Sequence, residues 1–372
     1  MKVTIKDVAR EAGVSVATVS RVLNDSGPVS ERARRRIRET AARLRYVPDG
    51  AARSLSMRKT NTLGVLLPEL YGEFFSEVIR GIDHTARRHH HHLLVSSSHS
   101  DRCEIEAALA AMRGRVDGLI LMSPDMDAHT LVAPLPESFP VVLLNCATEG
   151  GAADAPTVDA LTVDNYGGAY AMVRHLAGDG RRVAIITGGD ENHDARERLR
   201  GFRDALRDAG AEHRAAWEIP GDFREAAGFA AAARVLALRP RPTAIFAAND
   251  AMAIGAISAL REAGVRVPED IAVGGFDDIP MAAYVSPPLS SVHVPITELG
   301  ARAVERLLHA LEHGNTHVRR RETLPARLVV RHSSGGGRSE GSERSALAPS
   351  AERVEPLVRS PPTRRRHGMG HG

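Results

Sequence analysis

The chain has 372 residues, of which 43% are hydrophobic and 26% charged, a composition typical of a protein with two or three globular domains. No run of about 18 apolar residues occurs, which excludes a membrane-spanning helix. The first residues are charged where a secretory signal peptide would be apolar, and two cysteines are too few for a disulfide framework or a zinc site, so we expect a cytoplasmic protein.

The net charge of +3 is unevenly distributed along the chain. Residues 1–59 hold 14 Lys and Arg against six Asp and Glu, whereas residues 60–332 hold 28 basic and 36 acidic residues. A basic N-terminal segment is attracted to the phosphates of nucleic acids, and an acidic remainder is repelled by them. The pattern favours a DNA-binding head on an acidic body, although short basic segments also occur on solvated helix faces.

Three short helices are predicted over residues 4–12, 15–23 and 30–44, each of which starts at a Ser or Thr that can act as N-cap. Gly13 lies between the first two helices and permits the positive φ that a tight bend requires. In a helix-turn-helix of this kind the second helix enters the major groove of DNA. The first segment is therefore predicted to be an all-α DNA-binding head.

From residue 61 onward, short apolar runs alternate with amphipathic helices in two series. Strands are predicted in the first series at 63–68, 93–96, 118–121 and 141–145, and in the second at 161–164, 183–187, 243–247 and 271–276. Helices are predicted around residues 74–90, 102–113, 166–178, 194–209, 224–238 and 250–263. This alternation predicts two α/β lobes, each a parallel sheet with helices on both faces, and a ligand cleft at the carboxyl ends of the strands.

Toward its C-terminus the chain is rich in Gly, Ser, Pro and Arg and has almost no apolar periodicity. We therefore predict four parts: a helix-turn-helix domain over 1–47, a hinge or linker over 48–60, a two-lobed core over 61–332 and a disordered tail over 333–372. The arginines near the end of the tail could contact DNA non-specifically, or the tail could be solvated and without a function.

The segment T-I-K-D-V-A-R-E-A-G-V-S-V-A-T-V-S-R-V-L-N over residues 4–24, followed by Y-V-P, resembles the lac-repressor (LacI/GalR) family. The resemblance continues to about His332 through motifs that include R-L-R-G-F, F-A-A-N-D and V-G-G-F-D-D-I-P. It implies a transcriptional repressor that binds a two-fold symmetric operator as a homodimer.

The same resemblance implies a core of the periplasmic-binding-protein type, whose cleft takes a small-molecule effector such as a sugar. The chain would cross between the lobes around residues 289–296, and the helix that follows would return to the first lobe. Tetramers in this family use a C-terminal heptad repeat, which the segment after His332 lacks, so a dimer is favoured.

By this resemblance, three positions in the second helix read bases. Arg21 is suited to a bidentate bond with guanine, whereas Val16 and Ala17 offer apolar contact with a thymine methyl group or steric exclusion. Hydroxyl side chains of the same segment could bond phosphate or serve the helix itself, and they are Ser15, Thr18 and Ser20.

The following Y-V-P-D-G-A-A-R-S-L-S resembles the hinge helix of the family, which folds when two subunits meet on DNA and enters the minor groove. Leu55 matches the leucine that wedges between the central base pairs, and Ala52 lies where the hinge packs closely against its twin. Asp49 and Gly50 depart from the pattern of the family. The alternative is that this stretch is only a linker, against which its basic residues argue.

The resemblance also places six side chains at the effector, and they are Phe74, Phe75, Arg198, Phe223, Asn249 and Asp277. This set suits a polyol, because a carboxylate and an amide pair with hydroxyls, a guanidinium donates in a fork and an aromatic ring covers the apolar face of a sugar. Other roles stay open. One of the two adjacent phenylalanines could belong to the core, Asp277 and Asp278 could cap the turn at Ile279, and Asp250 is expected to cap the helix that it begins.

Two further patterns resemble binding motifs, but neither is expected to form a metal or phosphate site. The run His89–His92 lies at a helix end, where consecutive side chains do not share one face, so no metal site is expected. Gly188-Gly189-Asp190 lacks a complete phosphate-binding pattern and is interpreted as a lid loop beside the effector.

Two other classes of protein compete with a regulator. A solute-binding protein without a DNA function is opposed by the helix-turn-helix. An α/β enzyme is opposed because the sequence shows no nucleophile–base constellation and no complete cofactor motif. We therefore expect a protein that is not an enzyme and that carries no cofactor.

Overall fold

The computed structural model describes residues 3–24, 27–46, 59–99, 101–146 and 158–335. The predicted hinge residues Ala52 and Leu55 lie outside these ranges, as does most of the predicted tail. The described residues belong to the head, within residues 3–46, and to the core, within residues 59–335.

The described part of the head contains the three predicted helices, which are α1 Ile5–Glu11, α2 Val16–Leu23 and α3 Glu31–Arg43. Two of the three predicted caps accept a backbone N–H as expected, since Ser15 Oγ accepts from Thr18 at 3.1 Å and Ser30 Oγ accepts from Ala33. The Thr4 hydroxyl instead donates to Asp7 Oδ2 at 2.7 Å. Gly13 has a φ of 60°, as the bend between α1 and α2 requires.

The helices of the head enclose a small apolar core to which each of them contributes. Its buried members are Val8, Ala9, Ala12, Val19, Val22, Ile37 and Ala41. Val14, in the bend, packs against this core and is partly buried. Since α2 turns Val19 and Val22 inward, its opposite face is left to solvent, which is the arrangement that a recognition helix needs.

Lobe 1 is built on a parallel sheet of six described strands in the order β11-β5-β4-β3-β1-β2. Its strands are β1 Thr62–Leu67, β2 His92–Ser97, β3 Gly118–Met122, β4 Val141–Leu144, β5 Asp159–Val163 and β11 Arg321–Leu324. Its helices are α4 Glu73–Arg88, α5 Arg102–Met112, α6 Ala128–Val132 and α11 Ile296–His313. Every strand of the predicted first series lies in this sheet.

Lobe 2 is built on a parallel sheet of four described strands in the order β7-β6-β8-β9. Its strands are β6 Val183–Ile186, β7 Glu218–Ile219, β8 Ala244–Ala247 and β9 Ala272–Gly274. Its helices are α7 Asn165–Leu176, α8 His193–Asp208, α9 Glu225–Ala237 and α10 Asp250–Glu262. The two α/β lobes that the alternation predicted are therefore confirmed.

One strand of the predicted second series joins the other lobe. β5 pairs with β4 and β11 in lobe 1, and the chain enters lobe 2 only with α7. Strand–helix alternation reports that a strand exists, but not which sheet it joins, because the sheet is chosen by long-range pairing.

The chain then crosses back between the lobes through a short antiparallel pair, β10 Ser291–His293 and β12 Arg327–Val329. The predicted crossing and the return of the next helix to lobe 1 are confirmed, since α11 packs along α4. The two helices approach closely because each has a glycine that faces the backbone of the other. A Cβ on Gly300 would lie 2.4 Å from the backbone oxygen of Val78, and one on Gly81 would meet Thr297.

The core continues past the predicted boundary at His332. The 3₁₀ turn His332–Ser334 buries both of its serines. The Ser333 hydroxyl donates to the backbone oxygen of Val273 at 2.6 Å and accepts from the backbone N–H of Ser290 at 2.8 Å. These serines complete the polar bonding of neighbouring strands, which a composition rich in Gly and Ser does not reveal.

Candidate functional site

The face of α2 that points away from the head core carries the predicted base-reading residues. Ser15, Val16, Ala17 and Arg21 are exposed, and Val16 keeps 41% of its surface accessible although it is apolar. An exposed β-branched residue at the start of a recognition helix is suited to apolar contact with a base.

The other two hydroxyl residues of this helix already have local partners. Thr18 Oγ1 lies 2.8 Å from Ser15 Oγ, and Ser20 Oγ accepts from the side-chain amide of Asn24 at 3.2 Å. Both serve the helix in this structure, while a hydroxyl that accepts one bond can also donate its O–H to a phosphate oxygen or to water.

A cavity of about 710 Å³ lies between the two lobes at the carboxyl ends of their strands. Every one of the six side chains predicted to face an effector lines it, and these are Phe74, Phe75, Arg198, Phe223, Asn249 and Asp277. The two adjacent phenylalanines are both partly buried, both line the cavity and meet edge to face with ring centroids 5.4 Å apart.

Arg198 projects from α8 and is held from several sides, with 5% of its surface exposed. Its Nε donates to Asn165 Oδ1 at 2.8 Å, and its Nη1 donates to the backbone oxygen of Ala248. The guanidinium carbon lies 3.8 Å above the centre of the Phe276 ring, and Nη2 is 3.4 Å from Asp277 Oδ1. The guanidinium is thus held in one orientation at the floor of the cavity.

Asp277 reaches the cavity from a loop in which it has a φ of 108°. Its N–H donates to the backbone oxygen of Val292 at 2.9 Å, which ties this strained loop to the crossing strand. The buried Oδ1 accepts no hydrogen bond from any described residue. Burial raises the pKa of Asp277 to about 7, Arg198 opposes the rise and Asp194 adds to it.

The carboxylate beside it in sequence has a different role. Asp278 pairs with Arg331 at 2.7 Å and with His293 at 3.0 Å, so it faces the crossing strands. The pKa of Asp278 is lowered because hydrogen bonds from these two residues outweigh the cost of burial. The adjacent aspartates are therefore divided between the cavity and the junction of the lobes.

Asn249, and not Asp250, caps the helix that begins here. Asn249 caps α10, while its amide nitrogen donates to the backbone oxygen of Phe223 at 2.9 Å and its side chain lines the cavity. Asp250 is fully buried and accepts from Ser291 Oγ at 2.6 Å and from the N–H of Ile279 at 2.9 Å. The expectation that Asp250 caps the helix is wrong, because its carboxylate is used to hold the loop that carries Asp277.

Sequence reasoning missed several polar residues of the cavity, among them Asp194 and Asn145. Asp194 lies one helical turn before Arg198 on α8 and accepts from Asn165 Nδ2 at 2.9 Å, and burial raises its pKa although Arg198 opposes this. Asn145 follows β4 directly and has a buried Oδ1 that accepts no bond from a described residue. Helical spacing from Arg198 signalled the first, and a position at a strand's carboxyl end signalled the second.

The ring of Phe223 packs directly against Gly188, which leaves no room for a side chain at position 188. Phe223 has a φ of 68°, and a Cβ on Gly188 would lie 2.1 Å from Cζ of the ring. Glycine is needed there so that the ring can lie against the loop at the edge of the cavity. The Gly188-Gly189-Asp190 turn therefore supports an aromatic wall, as its interpretation as a loop beside the effector predicted.

The lobes meet at the cavity through polar pairs on opposite sides. Arg224 of lobe 2 is 2.7 Å from Glu69 of lobe 1, and Asn192 Nδ2 donates to Asp125 Oδ1 at 3.1 Å. Exposed polar pairs contribute little free energy, so such contacts let the lobes separate and close again at small cost.

Neither a metal nor a membrane function finds support in the described residues. No three His, Cys, Asp or Glu side chains among the described residues, those of His89–His92 included, are arranged to hold a metal ion. None of the helices described is both long and apolar enough to span a bilayer.

The raised pKa of Asp277 predicts a pH-dependent stability. Because the unfolded carboxyl titrates near its ordinary 3.8 and the folded one at about 7, the folded state binds more protons between these values. The free energy of unfolding should therefore fall as pH rises from about 4 to about 7. Asp277→Asn should remove that component, so the variant gains stability relative to the parent across this range in urea unfolding.

The control is Asp270→Asn. Its pKa is lowered to about 2 by hydrogen bonds from Arg266, so its titration lies below the range that is measured. A difference between Asp277→Asn and the parent that stays constant from pH 4.5 to 7.5 would contradict the assignment.

Comparison with known proteins agrees with the two-part architecture. The lacI family of bacterial regulatory proteins matches residues 4–49, and the periplasmic binding protein-like domain family matches residues 173–334. The HTH-type transcriptional repressor PurR of Photobacterium profundum is 36% identical over 333 residues, which are 89% of this chain and 98% of the relative. The ribose operon repressor of Escherichia coli K12 is 35% identical over 87% of this chain and 97% of its own length.

Among solved structures, the lac repressor dimer bound to operator and the anti-inducer ONPF is similar with a TM-score of 0.76. The identity is 29%, and the match covers 90% of this chain and 99% of that one. With relatives above 30% identity along nearly the whole of both chains, this protein belongs to the lacI family of bacterial regulatory proteins and is a DNA-binding transcriptional regulator.

Proposed function

We propose that the protein is a repressor that binds a two-fold symmetric operator as a homodimer, and that a sugar in the interlobe cavity sets its affinity for DNA. One observation carries this proposal. A single chain combines a solvent-facing recognition helix with a cavity whose aromatic walls and unsatisfied buried acceptors suit a polyol. The PurR and ribose operon relatives, both named repressors, support the direction of regulation.

The DNA contacts are proposed on the face of α2. Arg21 would bond guanine, and Val16 and Ala17 would contact or exclude base edges, with Ser15, Thr18 and Ser20 nearer the phosphates. Ala52 and Leu55 would form the minor-groove element when two hinges meet. The similarity to an operator-bound lac repressor dimer supports this docking.

The cavity residues divide the work of binding a sugar. Arg198, Asp277 and Asn249 offer donors and acceptors to hydroxyls, while Phe223 and the Phe74–Phe75 pair offer apolar walls. The name of the ribose operon repressor refers to a sugar, and the similarity of that protein supports a sugar as the effector of this chain. Binding requires no turnover, so we assign no catalytic residue.

The dimer is proposed to involve an apolar surface beside the cavity. Met281, in the 3₁₀ turn Pro280–Ala283, is 47% exposed, and Tyr284, which directly follows this turn, is 83% exposed. Large apolar side chains with so much exposed surface are stabilised when a second copy covers them. The lac repressor is a dimer in the similar structure, which favours a second copy of this chain as the partner.

Regulation would follow from the two-lobed architecture. A ligand that contacts both lobes stabilises the lobe arrangement that fits it, and it changes operator affinity only through its differential affinity for the two arrangements. The function requires access to DNA, which places the protein in the cytoplasm.

Arg21→Ala tests the DNA-binding half of the proposal. On the best operator selected from a random DNA pool, the loss should be about 1–3 kcal/mol, and preference at one guanine should relax. Arg36→Ala is the matched control, because it removes an exposed arginine from α3 and should leave base preference unchanged. An equal loss on operator and random DNA for Arg21→Ala would contradict base reading, and one chain per operator in the same titration would contradict the dimer.

A further inference from the structure

The charged lining of the interlobe cavity is mostly acidic. Its described lining contains seven Asp and Glu residues but only two arginines and no lysine. Each arginine already faces a carboxylate, since Arg224 lies 2.7 Å from Glu69 and Arg198 lies 3.4 Å from Asp277. No cationic side chain among the described lining residues is thus left to neutralise an anionic ligand.

Four described helices, α4, α8, α9 and α10, begin at this cavity, and helix N-termini normally attract phosphate. In three of them the first turn carries an acid that lines the cavity, namely Glu73 on α4, Asp194 on α8 and Glu225 on α9. These carboxylates lie where a ligand anion would benefit from the helix dipoles. They offset the partial positive charge that would otherwise attract a phosphate group.

Two buried acceptor oxygens at the cavity have no hydrogen-bond donor among the described residues. Asp277 Oδ1 and Asn145 Oδ1 belong to residues that are 5% and 2% exposed, and neither accepts a hydrogen bond from a described residue. A buried acceptor without a partner is costly, so a ligand that donates from hydroxyls is favoured. An ionised phosphate or carboxylate group placed against these two oxygens would bring acceptors only and would leave them unsatisfied.

Building on the proposed sugar-responsive function, we infer that the effector carries no phosphate or carboxylate group, and that the cleft excludes phosphorylated sugars. The excluded ligands would place a like charge among the carboxylates in a partly closed site of low dielectric. The accepted ligand is a sugar with free hydroxyls, which meets Asp277 and Asn145 as a donor.

The test uses the full-length protein and calorimetric titration with matched pairs: D-ribose and D-ribose 5-phosphate, D-glucose and D-glucose 6-phosphate, D-fructose and D-fructose 1-phosphate. In any pair that binds, the neutral sugar should bind at least about tenfold more tightly at low salt, and the ratio should shrink as salt screens the repulsion. A phosphorylated sugar that binds as tightly as its neutral partner, or more tightly, would overturn the inference. Failure of every compound to bind would instead overturn the proposed sugar effector, and with it the inference that rests on it.

Steric exclusion of the phosphate group is separated from charge by a double variant. Glu73→Gln with Glu225→Gln keeps the size of both side chains, removes two charges and replaces one acceptor oxygen of each residue with an amide donor, so the ratio of affinities should fall about threefold or more. Glu104→Gln is the matched control, because Glu104 lies in the first turn of α5 and does not line the cavity. A ratio that stays the same in the double variant would overturn the charge argument.

Discussion

Replacing Arg198 with alanine is expected to have the largest effect of any single substitution in the core. The guanidinium is buried, donates to Asn165 Oδ1 and to the backbone oxygen of Ala248, and lies 3.4 Å from Asp277 Oδ1 as its counter-charge. Its loss leaves a buried carboxyl without its counter-charge and a cavity beside Phe276, so stability should fall by about 3–5 kcal/mol. Urea unfolding measures this, and Arg207→Ala on the same helix, an exposed arginine, should cost less than about 1 kcal/mol.

The binding role of this pair needs variants that fold. Arg198→Lys keeps a positive charge, and Asp277→Asn keeps the shape of the side chain. For the sugar that screening identifies, each variant should weaken the binding free energy by about 1–3 kcal/mol or more, because hydrogen bonds to the ligand are lost or their partners are left unpaired. Neither residue lies in the head, so operator affinity without effector should persist. If both variants fold and bind the sugar as tightly as the parent does, the site assignment is wrong.

Truncating the chain after His332 is expected to destabilise it by about 3–5 kcal/mol relative to a chain that ends after Gly335. The shorter chain loses the bonds that Ser333 and Ser334 make with Ser290, Val273 and His175. It also leaves the N–H of Ser290 buried without its partner. Comparing the two truncated chains by urea unfolding isolates these three residues from the rest of the tail.

A point substitution controls for the new chain end. Ser333→Ala in the full chain should reproduce part of the loss, on the order of 1–3 kcal/mol, because it removes one hydroxyl that both donates and accepts. Identical unfolding midpoints for the two truncated chains would show that the turn contributes nothing to the core.

The sequence by itself determined the features that depend on neighbours along the chain. The head could be predicted because Ser15 and Ser30 cap their helices locally and Gly13 supplies the bend, all within a few residues. Eight of the ten described strands in the two lobe sheets follow from apolar runs of the right length, whereas β7 and β11 contain no such run and were not predicted. The effector residues Arg198 and Asp277 were predicted by family resemblance, and the structure places both at the same cavity.

The tertiary structure alone decided how polar groups are shared among distant segments. Asn249 and Asp250 are equally good helix caps locally, but only Asp250 lies where Ser291 and Ile279 need an acceptor. In the same way, β5 joins lobe 1 because β4 and β11 pair with it, although its position along the chain placed it in the second series of predicted strands. Burial and long-range pairing set the free energy of these choices, and neither quantity is contained in the local pattern of residues.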